Sequence, residues 1–260
     1  MYMNFNEDTH FLISLAQQAA GMAQEAFSPS GVDFELKRDN SPVTKTDVAI
    51  NQMVIDEVQK HRPEWGVLGE ELQWNEDSEI LLVVDPIDGT KPFTWGQATF
   101  GCMFPLVKDG RVTSAVVINP ILQRTVAAEK GQGTWLVESK EQLYVSKTDT
   151  LKSQTVYVHS KSVGCVPDIL QAGGGFVAGN SAAEISFMVS RGAWVGAILN
   201  LPSPHDIACA KLLVEEAGGV VTDINGNDQA YDGLLNGAVI SNGVLHEELL
   251  SICRSHVQKN

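Results

Sequence analysis

Basic residues are scarce in this chain of 260 residues, where 18 Lys and Arg stand against 32 Asp and Glu and the formal net charge is −14. A strongly acidic chain repels nucleic acids and anionic membrane surfaces. No apolar run approaches the roughly 20 residues that a membrane-spanning helix requires. The N-terminus carries Glu7 and Asp8, where a signal peptide has basic residues. We therefore expect a cytoplasmic protein that contacts neither nucleic acid nor membrane directly.

Several motifs that define common enzyme classes are also missing. The four cysteines form no C-x-x-C pair, which excludes a zinc knuckle, a thioredoxin-like site and a disulfide framework. The chain has no G-x-x-x-x-G-K-[ST] and no G-x-S-x-G, so it is neither a P-loop nucleotide enzyme nor a hydrolase with a nucleophile elbow. A hydrophobic content of 43% over this length predicts a well-buried globular protein.

Hydrophobic periodicity predicts two N-terminal helices, followed by a series of strands. Apolar residues recur at helical spacing from Phe11 to Met22, and Pro29 and Gly31 end this first helix. A second helix is expected from about residue 46 to residue 60. Strands are predicted at 80–84, 100–107, 111–119 and 124–129, and strands and helices then alternate from 155 to 257.

The most informative segment follows the apolar run 80–84 and contains two aspartates three positions apart. Pro86 restricts Asp85 to an extended backbone, so Asp85, Asp88 and the Ile87 carbonyl can face one point. Such oxygen ligands suit a hard divalent cation, Mg²⁺ in particular. A plain surface turn is the alternative, because Asp, Pro and Gly are common turn residues.

The residues that follow this acidic pair suit a phosphate group. Gly89 permits a sharp turn, and the amides of Gly89, Thr90 and Lys91 would open the next turn. Free amides at the start of a helical turn attract anions. A cation on one side and amides on the other would together bind a phosphate ester.

Two other acidic sites are less specific when taken alone. Glu70 and Glu71 follow a short apolar strand, and Asp206 stands where a helix over 207–217 begins. An exposed Glu-Glu pair is commonly solvated, and an aspartate at a helix start is commonly a cap.

Together, these segments resemble the inositol monophosphatase superfamily, whose members are Mg²⁺-dependent and typically lithium-sensitive phosphatases. The resemblance covers nearly the whole chain and implies an α+β fold, a five-layered α-β-α-β-α sandwich, commonly assembled as a homodimer. The residues that carry it are Gly69-Glu70-Glu71, Asp85-Pro86-Ile87-Asp88-Gly89-Thr90, Asp206 and the glycine-ended run 213–219.

The same resemblance implies a site for two or three Mg²⁺ ions. Glu70, Asp85 and the Ile87 carbonyl match the ligands of a first ion. Asp85, Asp88 and Asp206 match those of a second, and a third would lie beside Glu70. We expect residues 1–145 to form an α+β part with most of the ligands. Residues 146–260 would form an α/β part that supplies Asp206 and the substrate contacts, with a cleft between the two.

Catalytic roles follow from the resemblance and from the chemistry of phosphate esters. Asp47 matches the aspartate that pairs with the motif threonine, here Thr90. We hypothesise that Glu70 and Thr90 orient the attacking water while Asp47 fixes the Thr90 hydroxyl, and that Gly89 and Thr90 hold the phosphate. A second ion positioned by Asp206 would neutralise the leaving oxygen.

Candidate substrate contacts are Asp88, Ser181, Ala182 and His205. Ser181 and Ala182 match the family's turn at the cleft edge, and His205 stands where inositol-type members usually have Trp. At position 199, seven residues before the final metal aspartate, family members commonly have a glutamate, but this chain has Leu199. In the family this carboxylate holds an inositol hydroxyl or the substrate's amine, so its loss counts against both substrates and against histidinol phosphate in particular.

We therefore expect a Mg²⁺-dependent phosphomonoesterase that hydrolyses a small soluble phosphate ester, either inositol monophosphate or a histidinol-phosphate-like compound. The nearest alternative activity is that of a 3′(2′),5′-bisphosphate nucleotidase. A non-enzymatic alternative is a member that acts by binding a protein partner.

Overall fold

The computed structural model of the chain describes residues 3–257. Helix α1 (Glu7–Ala26) begins after Asn6, whose side chain accepts a hydrogen bond from the Thr9 amide at 2.8 Å. A short hairpin of β1 (Glu35–Leu36) and β2 (Pro42–Val43) leads to helix α2 (Lys45–His61). The two N-terminal helices predicted from the apolar periodicity are therefore confirmed.

The first sheet has eight strands and is antiparallel except for one pair. Its order is β10-β9-β8-β7-β6-β5-β3-β4, and β3 and β5 are the parallel pair. A short helix α3 (Thr90–Thr94) follows β5 in the chain. The strands are β3 (Gly66–Gly69), β4 (Gln73–Trp74), β5 (Ile80–Asp88), β6 (Gly101–Lys108), β7 (Arg111–Asn119), β8 (Arg124–Glu129), β9 (Gly133–Leu136) and β10 (Glu141–Leu143).

The second sheet has five strands and is mixed. Its order is β12-β11-β13-β15-β14, with β11 parallel to both of its neighbours and the other pairs antiparallel. The strands are β11 (Thr155–Val158), β12 (Gly175–Val177), β13 (Gly196–Leu199), β14 (Val220–Thr222) and β15 (Ala238–Ser241). The helices of this half are a 3-10 helix (Ser160–Cys165), α4 (Val166–Gln171), α5 (Ala182–Ser190), α6 (Pro204–Glu216) and α7 (His246–Val257).

Three hydrophobic clusters define the stacking of helices and sheets. One joins α1 and α2 to the first sheet, the central one joins both sheets to α5 and α6, and the third joins the second sheet to α4 and α7. Strand β5 contributes alternate residues to two clusters, with Leu82 facing α1 and α2 and Val83 facing α6. A strand buried on both faces reads as a continuous apolar run, which explains residues 80–84. The layers are thus α-β-α-β-α, as predicted.

The two predicted parts of the chain share a core. All strands of the first sheet end by Leu143, and those of the second begin at Thr155, close to the predicted boundary at residue 145. The central cluster nevertheless combines Val83 and Met103 with residues of α6. The division into two domains therefore stays a prediction.

The strand that carries the acidic motif is longer than predicted. It continues beyond Val84 through Asp88, so both aspartates belong to β5 and not to a turn after it. All four cysteines are free and buried, as is common for cysteines that pack like small apolar residues. Within residues 3–257, no helix combines the length and the apolar character needed to cross a bilayer.

The central layer should dominate stability, because α6 packs between the two sheets. Leu213 of α6 is fully buried, so Leu213→Ala should lower the free energy of unfolding by about 2–5 kcal/mol in urea denaturation. Leu234 is 89% exposed, and Leu234→Ala should change the free energy of unfolding by less than about 0.5 kcal/mol. Equal losses in the two variants would contradict this placement of the core.

Candidate functional site

Parallel pairing of β3 with β5 brings two acidic segments side by side. Gly69, the last residue of β3, lies opposite Val84, and the next amide, that of Glu70, donates to the Val84 carbonyl at 3.0 Å. Glu70 therefore leaves the sheet beside Asp85. Among the described residues, the carboxylates that offer oxygens within 4.8 Å of one another are those of Asp85, Asp88 and Asp206, so the assignment of Glu70 as a cation ligand stays a prediction.

An irregularity in β5 allows its two aspartates to face the same point. Residues three apart on a regular strand point to opposite faces of the sheet. Between Asp85 and Asp88 the pairing with β6 shifts register, at a position where Pro86 has no amide hydrogen to donate. Their carboxylates, together with that of Asp206, each offer an oxygen within 4.8 Å of the others.

Asp206 reaches this point from the first turn of α6. Ser203 caps the helix by accepting the His205 amide at 3.2 Å, and Pro204 is the first helical residue, a position that tolerates proline. The helix therefore begins three residues earlier than predicted, and Asp206 lies inside its first turn instead of at the cap. Its partly buried carboxylate faces the buried pair on β5.

Burial and mutual repulsion raise the pKa values of the three carboxyl groups. Burial first, then Asp88 and Glu70, raise the pKa of Asp206 to about 7. Burial raises the pKa of Asp88 to about 6, against hydrogen bonds from the start of α5. The pKa of Asp85 is also raised, by burial and then by Glu70, Asp88 and Asp206. Three acids in this arrangement resist simultaneous ionisation unless a cation is present.

The ligand atoms fit a hard divalent cation. Asp85 Oδ1 is buried and has no hydrogen-bond partner among the described residues, a costly state for a carboxylate oxygen. The surrounding atoms are carboxylate oxygens, with the backbone carbonyl of Ile87 in the same segment. Mg²⁺ prefers this type of ligand.

The start of α5 packs against Asp88 and Gly89. The Ala183 amide donates to Asp88 Oδ2 at 2.5 Å. Gly89 has a φ of +86°, and a Cβ on it would lie 2.9 Å from Ser181 Cβ, so only glycine fits here without strain. Ser181 and Ala182 are 2% and 6% exposed, and the Ser181 hydroxyl accepts the Glu184 amide at 3.1 Å. Their side chains therefore pack beside Asp88 and Gly89, and their assignment as substrate contacts stays a prediction.

The predicted hydrogen bond between Thr90 and Asp47 is not formed. The Thr90 hydroxyl donates to the Ile87 carbonyl at 3.1 Å. Asp47 Oδ2 instead accepts the Thr44 amide and hydroxyl, because Asp47 is the third residue of α2 and closes a capping box with Thr44. Burial raises the pKa of Asp47 to about 6.

A lysine that the sequence interpretation missed forms ion pairs with both glutamates. Lys37 Nζ, just after β1, lies 2.8 Å from Glu70 Oε1 and 2.5 Å from Glu71 Oε1. Burial lowers the pKa of Lys37, but its hydrogen bonds to Glu70 and Glu71 outweigh that effect and raise it overall. The only sequence feature that could have indicated this contact is the pair Lys37-Arg38 in a chain with few basic residues. No local pattern relates that pair to Glu70, which lies 33 positions later.

A buried asparagine, also missed, fixes the turn after β3. Asn51 of α2 accepts the amides of Glu71 and Leu72 and donates to the Leu72 carbonyl, all at 3.0–3.1 Å. A Cβ on Gly69 would lie 2.2 Å from Asn51 Oδ1, which explains the glycine before Glu70. The backbone that carries Glu70 is thus held by α2.

His205 is used within the protein on both ring nitrogens. Nε2 lies 2.9 Å from the Leu68 carbonyl, and Nδ1 lies 2.8 Å from the Ser203 hydroxyl. Burial lowers the pKa of His205, which favours the neutral ring. Both nitrogens are thus engaged within the protein, and the assignment of His205 as a substrate contact stays a prediction.

Leu199 lies at the end of β13 and is 1% exposed in the central core. Its apolar surroundings agree with the absence of a substrate-binding carboxylate at this position.

Comparison with known proteins agrees with the fold and the acidic motifs. The histidinol-phosphatase of Chlorobaculum parvum is 28% identical over 251 residues, covering 94% of this chain and 95% of that protein. The fructose-1,6-bisphosphatase/inositol-1-monophosphatase of Thermotoga maritima is 29% identical, covering 84% of each chain. A solved structure of a Thermotoga maritima IMPase superposes with a TM-score of 0.89 at 26% identity, covering 98% of this chain and 99% of that one.

A family model described as the inositol monophosphatase family matches residues 5–258. The match includes every acidic residue of the cluster and both sheets. The chain belongs to the inositol monophosphatase family.

Proposed function

We propose that this protein is a Mg²⁺-dependent phosphomonoesterase that hydrolyses a small phosphate ester. The observation that supports the proposal most strongly is the convergence of Asp85, Asp88 and Asp206, with one buried Asp85 oxygen lacking a partner. The phosphatase names of its relatives point to the same class of reaction.

In this proposal, Asp85, Asp88 and Asp206 hold the cation, and Glu70 and the Ile87 carbonyl complete a set for two or three ions. Bound Mg²⁺ would lower the pKa of water and neutralise charge on the phosphate and the leaving oxygen. Lys37 orients Glu70 through their ion pair, and Asn51 holds the backbone beside it.

The chain's own groups around the phosphate would act by orientation. The first amides of a helix have no partner within it, so those at the start of α3 can bind phosphate oxygens next to Gly89. The Thr90 hydroxyl donates to the Ile87 carbonyl and can accept a hydrogen bond from the attacking water, whose proton passes to Glu70. Asp47, which lacks a direct bond to Thr90, would act by holding the start of α2.

The substrate in this proposal is a small ester without an ammonium group near β13. Leu199 offers no carboxylate there to pair with an ammonium group or to hold an inositol hydroxyl, so histidinol phosphate is disfavoured and inositol monophosphate loses one of its usual contacts. The homodimer, the inhibition by lithium and the cytoplasmic location are further proposals drawn from the family.

Phosphate release from a panel of inositol 1-phosphate, histidinol phosphate and adenosine 3′,5′-bisphosphate tests the activity. We expect Mg²⁺-dependent turnover, with histidinol phosphate a poor substrate. Preference for the bisphosphate would instead support the nucleotidase alternative. Purified chain that releases no phosphate from any compound with Mg²⁺ would contradict the proposal and favour a partner-binding role.

Asp206→Asn should reduce turnover by about 100-fold or more, because it removes a cation ligand while preserving shape. Thr90→Ala should cost a comparable factor through loss of water orientation. Asp77→Asn is the matched control, since Asp77 is exposed and lies before the start of β5. Near-normal rates in the first two variants, or equal losses in all three, would refute these roles.

Stability without cations should depend on pH through the raised pKa values. Folded Asp88 and Asp206 titrate near 6 and 7, above the ordinary value of 3.8. The folded chain therefore binds more protons than the unfolded chain between about pH 4 and 7, and the contribution of these groups to stability falls as pH rises through that window.

Thermal unfolding with and without Mn²⁺ measures this effect. Mn²⁺ should raise the unfolding midpoint more at pH 7.5 than at pH 5, because protons compete with the cation at the lower pH. Asp206→Asn should reduce both the pH dependence and the Mn²⁺ effect. A midpoint that does not respond to Mn²⁺ at pH 7.5 would contradict the cation site.

A further inference from the structure

A single histidine connects the first sheet to α6 beside the acidic cluster. His205 Nε2 lies 2.9 Å from the carbonyl of Leu68, a residue 137 positions earlier in the chain. Leu68 belongs to β3, and His205 is the second residue of α6. The contact therefore joins the strand that leads to Glu70 with the helix that carries Asp206.

The partners of the ring determine its protonation and hold it rigidly. A carbonyl can only accept, so Nε2 carries the hydrogen and Nδ1 accepts from the Ser203 hydroxyl at 2.8 Å. The Ser203 oxygen in turn accepts the His205 amide at 3.2 Å. With both nitrogens engaged, the ring cannot turn without breaking a hydrogen bond.

The two ends of this connection lie next to proposed cation ligands. Leu68 is two residues before Glu70, and β3 is paired in parallel with the part of β5 that leads to Asp85. On the other side, His205 directly precedes Asp206. A change in the distance between β3 and α6 would therefore change the separation of Glu70 and Asp85 from Asp206.

Electrostatic repulsion acts against this connection. Asp85 and Asp88 on β5 offer carboxylate oxygens within 4.8 Å of an oxygen of Asp206 on α6, so negative charges on the two elements repel each other. This repulsion favours a larger distance between α6 and the first sheet. The hydrogen bond from His205 to Leu68 resists that separation next to Asp206.

We propose that His205 is a positioning residue that sets the spacing of the cation site by tying the start of α6 to the end of β3. This inference rests on the proposed function, because it assigns the residue a purpose at the same site. His205 contacts neither substrate nor cation; it acts through Asp206 and Glu70.

Three substitutions separate the two hydrogen bonds of the ring. His205→Phe removes both while keeping a planar ring of similar size. In His205→Gln the side-chain nitrogen can occupy the position of Nε2 and keep the bond to Leu68, whereas the shorter His205→Asn can reach only Ser203. Of the two bonds of the ring, only the one to Leu68 crosses between the first sheet and α6.

A second histidine provides a matched control. His246, the first residue of α7, is buried and also uses both ring nitrogens, with Ser241 at 2.9 Å and Thr222 at 3.0 Å. These bonds stay within α7 and the second sheet. Ser241 pairs with Gly196, at the opposite end of β13 from the segment that leads to Asp206. His246→Phe therefore measures the loss of a buried, doubly bonded histidine away from the cluster.

The readout is the dissociation constant for Mn²⁺, measured by calorimetry or electron paramagnetic resonance on the purified chain, with thermal unfolding in parallel. We expect His205→Phe and His205→Asn to weaken Mn²⁺ binding by about 10–100-fold, as losses of outer hydrogen bonds at metal sites do, and His205→Gln to stay within about 3-fold of wild type. His246→Phe should lower the unfolding midpoint without changing the Mn²⁺ constant.

Wild-type Mn²⁺ affinity in His205→Asn, or equal weakening in the Gln and Asn variants, would overturn the positioning role while the proposed function stands. If His205→Phe fails to fold, the comparison of Gln with Asn still decides the question. A wild-type chain that binds no Mn²⁺ would overturn the proposed function and this inference with it.

Discussion

Repulsion among carboxylates that the fold forces together is the constraint on which the rest of this structure depends. Asp85 and Asp88 arrive on a strand buried on both faces, and Asp206 arrives on a helix packed between two sheets. None of these elements can withdraw without opening a core. The folded protein therefore retains the unfavourable energy of the cluster, and a bound divalent cation would relieve it.

The surroundings of the cluster moderate this repulsion without removing it. Helices α5 and α6 both begin at the site, where their N-terminal dipoles and amides favour negative charge. One of those amides, that of Ala183, donates a hydrogen bond to Asp88. Lys37 forms ion pairs with Glu70 and Glu71 and offsets part of their negative charge. The buried oxygen of Asp85 receives no such partner. The surrounding amides and Lys37 thus stabilise most of the carboxylates, but one oxygen of Asp85 has no hydrogen-bond partner among the described residues.

Local sequence patterns predicted the parts of the fold that depend on local physics. Periodicity found α1 and α2, and the apolar run 80–84 found β5, since each pattern reflects burial of its own element. The acidic motifs found the cluster because Asp85 and Asp88 are close in sequence and the order of the motifs resembled a known family. The length of β5 was underestimated, because Pro86 normally interrupts a strand and here coincides with an irregularity in pairing.

Contacts between distant segments were beyond sequence reasoning. Asp47 accepts hydrogen bonds from Thr44 in the capping box of α2 and makes no hydrogen bond with Thr90. Although Thr44 and Asp47 are only three residues apart, the sequence did not show which of the two threonines Asp47 would bond. The bonds of Lys37 to Glu70 and of His205 to Leu68 join residues 33 and 137 positions apart. The packing of Ser181 against Gly89 is also a contact between distant segments. The contacts of Lys37, His205 and Ser181 each depend on the position of a second element, which the sequence does not give.

The most direct measurement of the central claim is anomalous diffraction from crystals of the protein soaked in Mn²⁺. We predict a manganese peak among the carboxylates of Asp85, Asp88 and Asp206. Well-diffracting soaked crystals with no peak there, or with manganese bound only elsewhere, would contradict it.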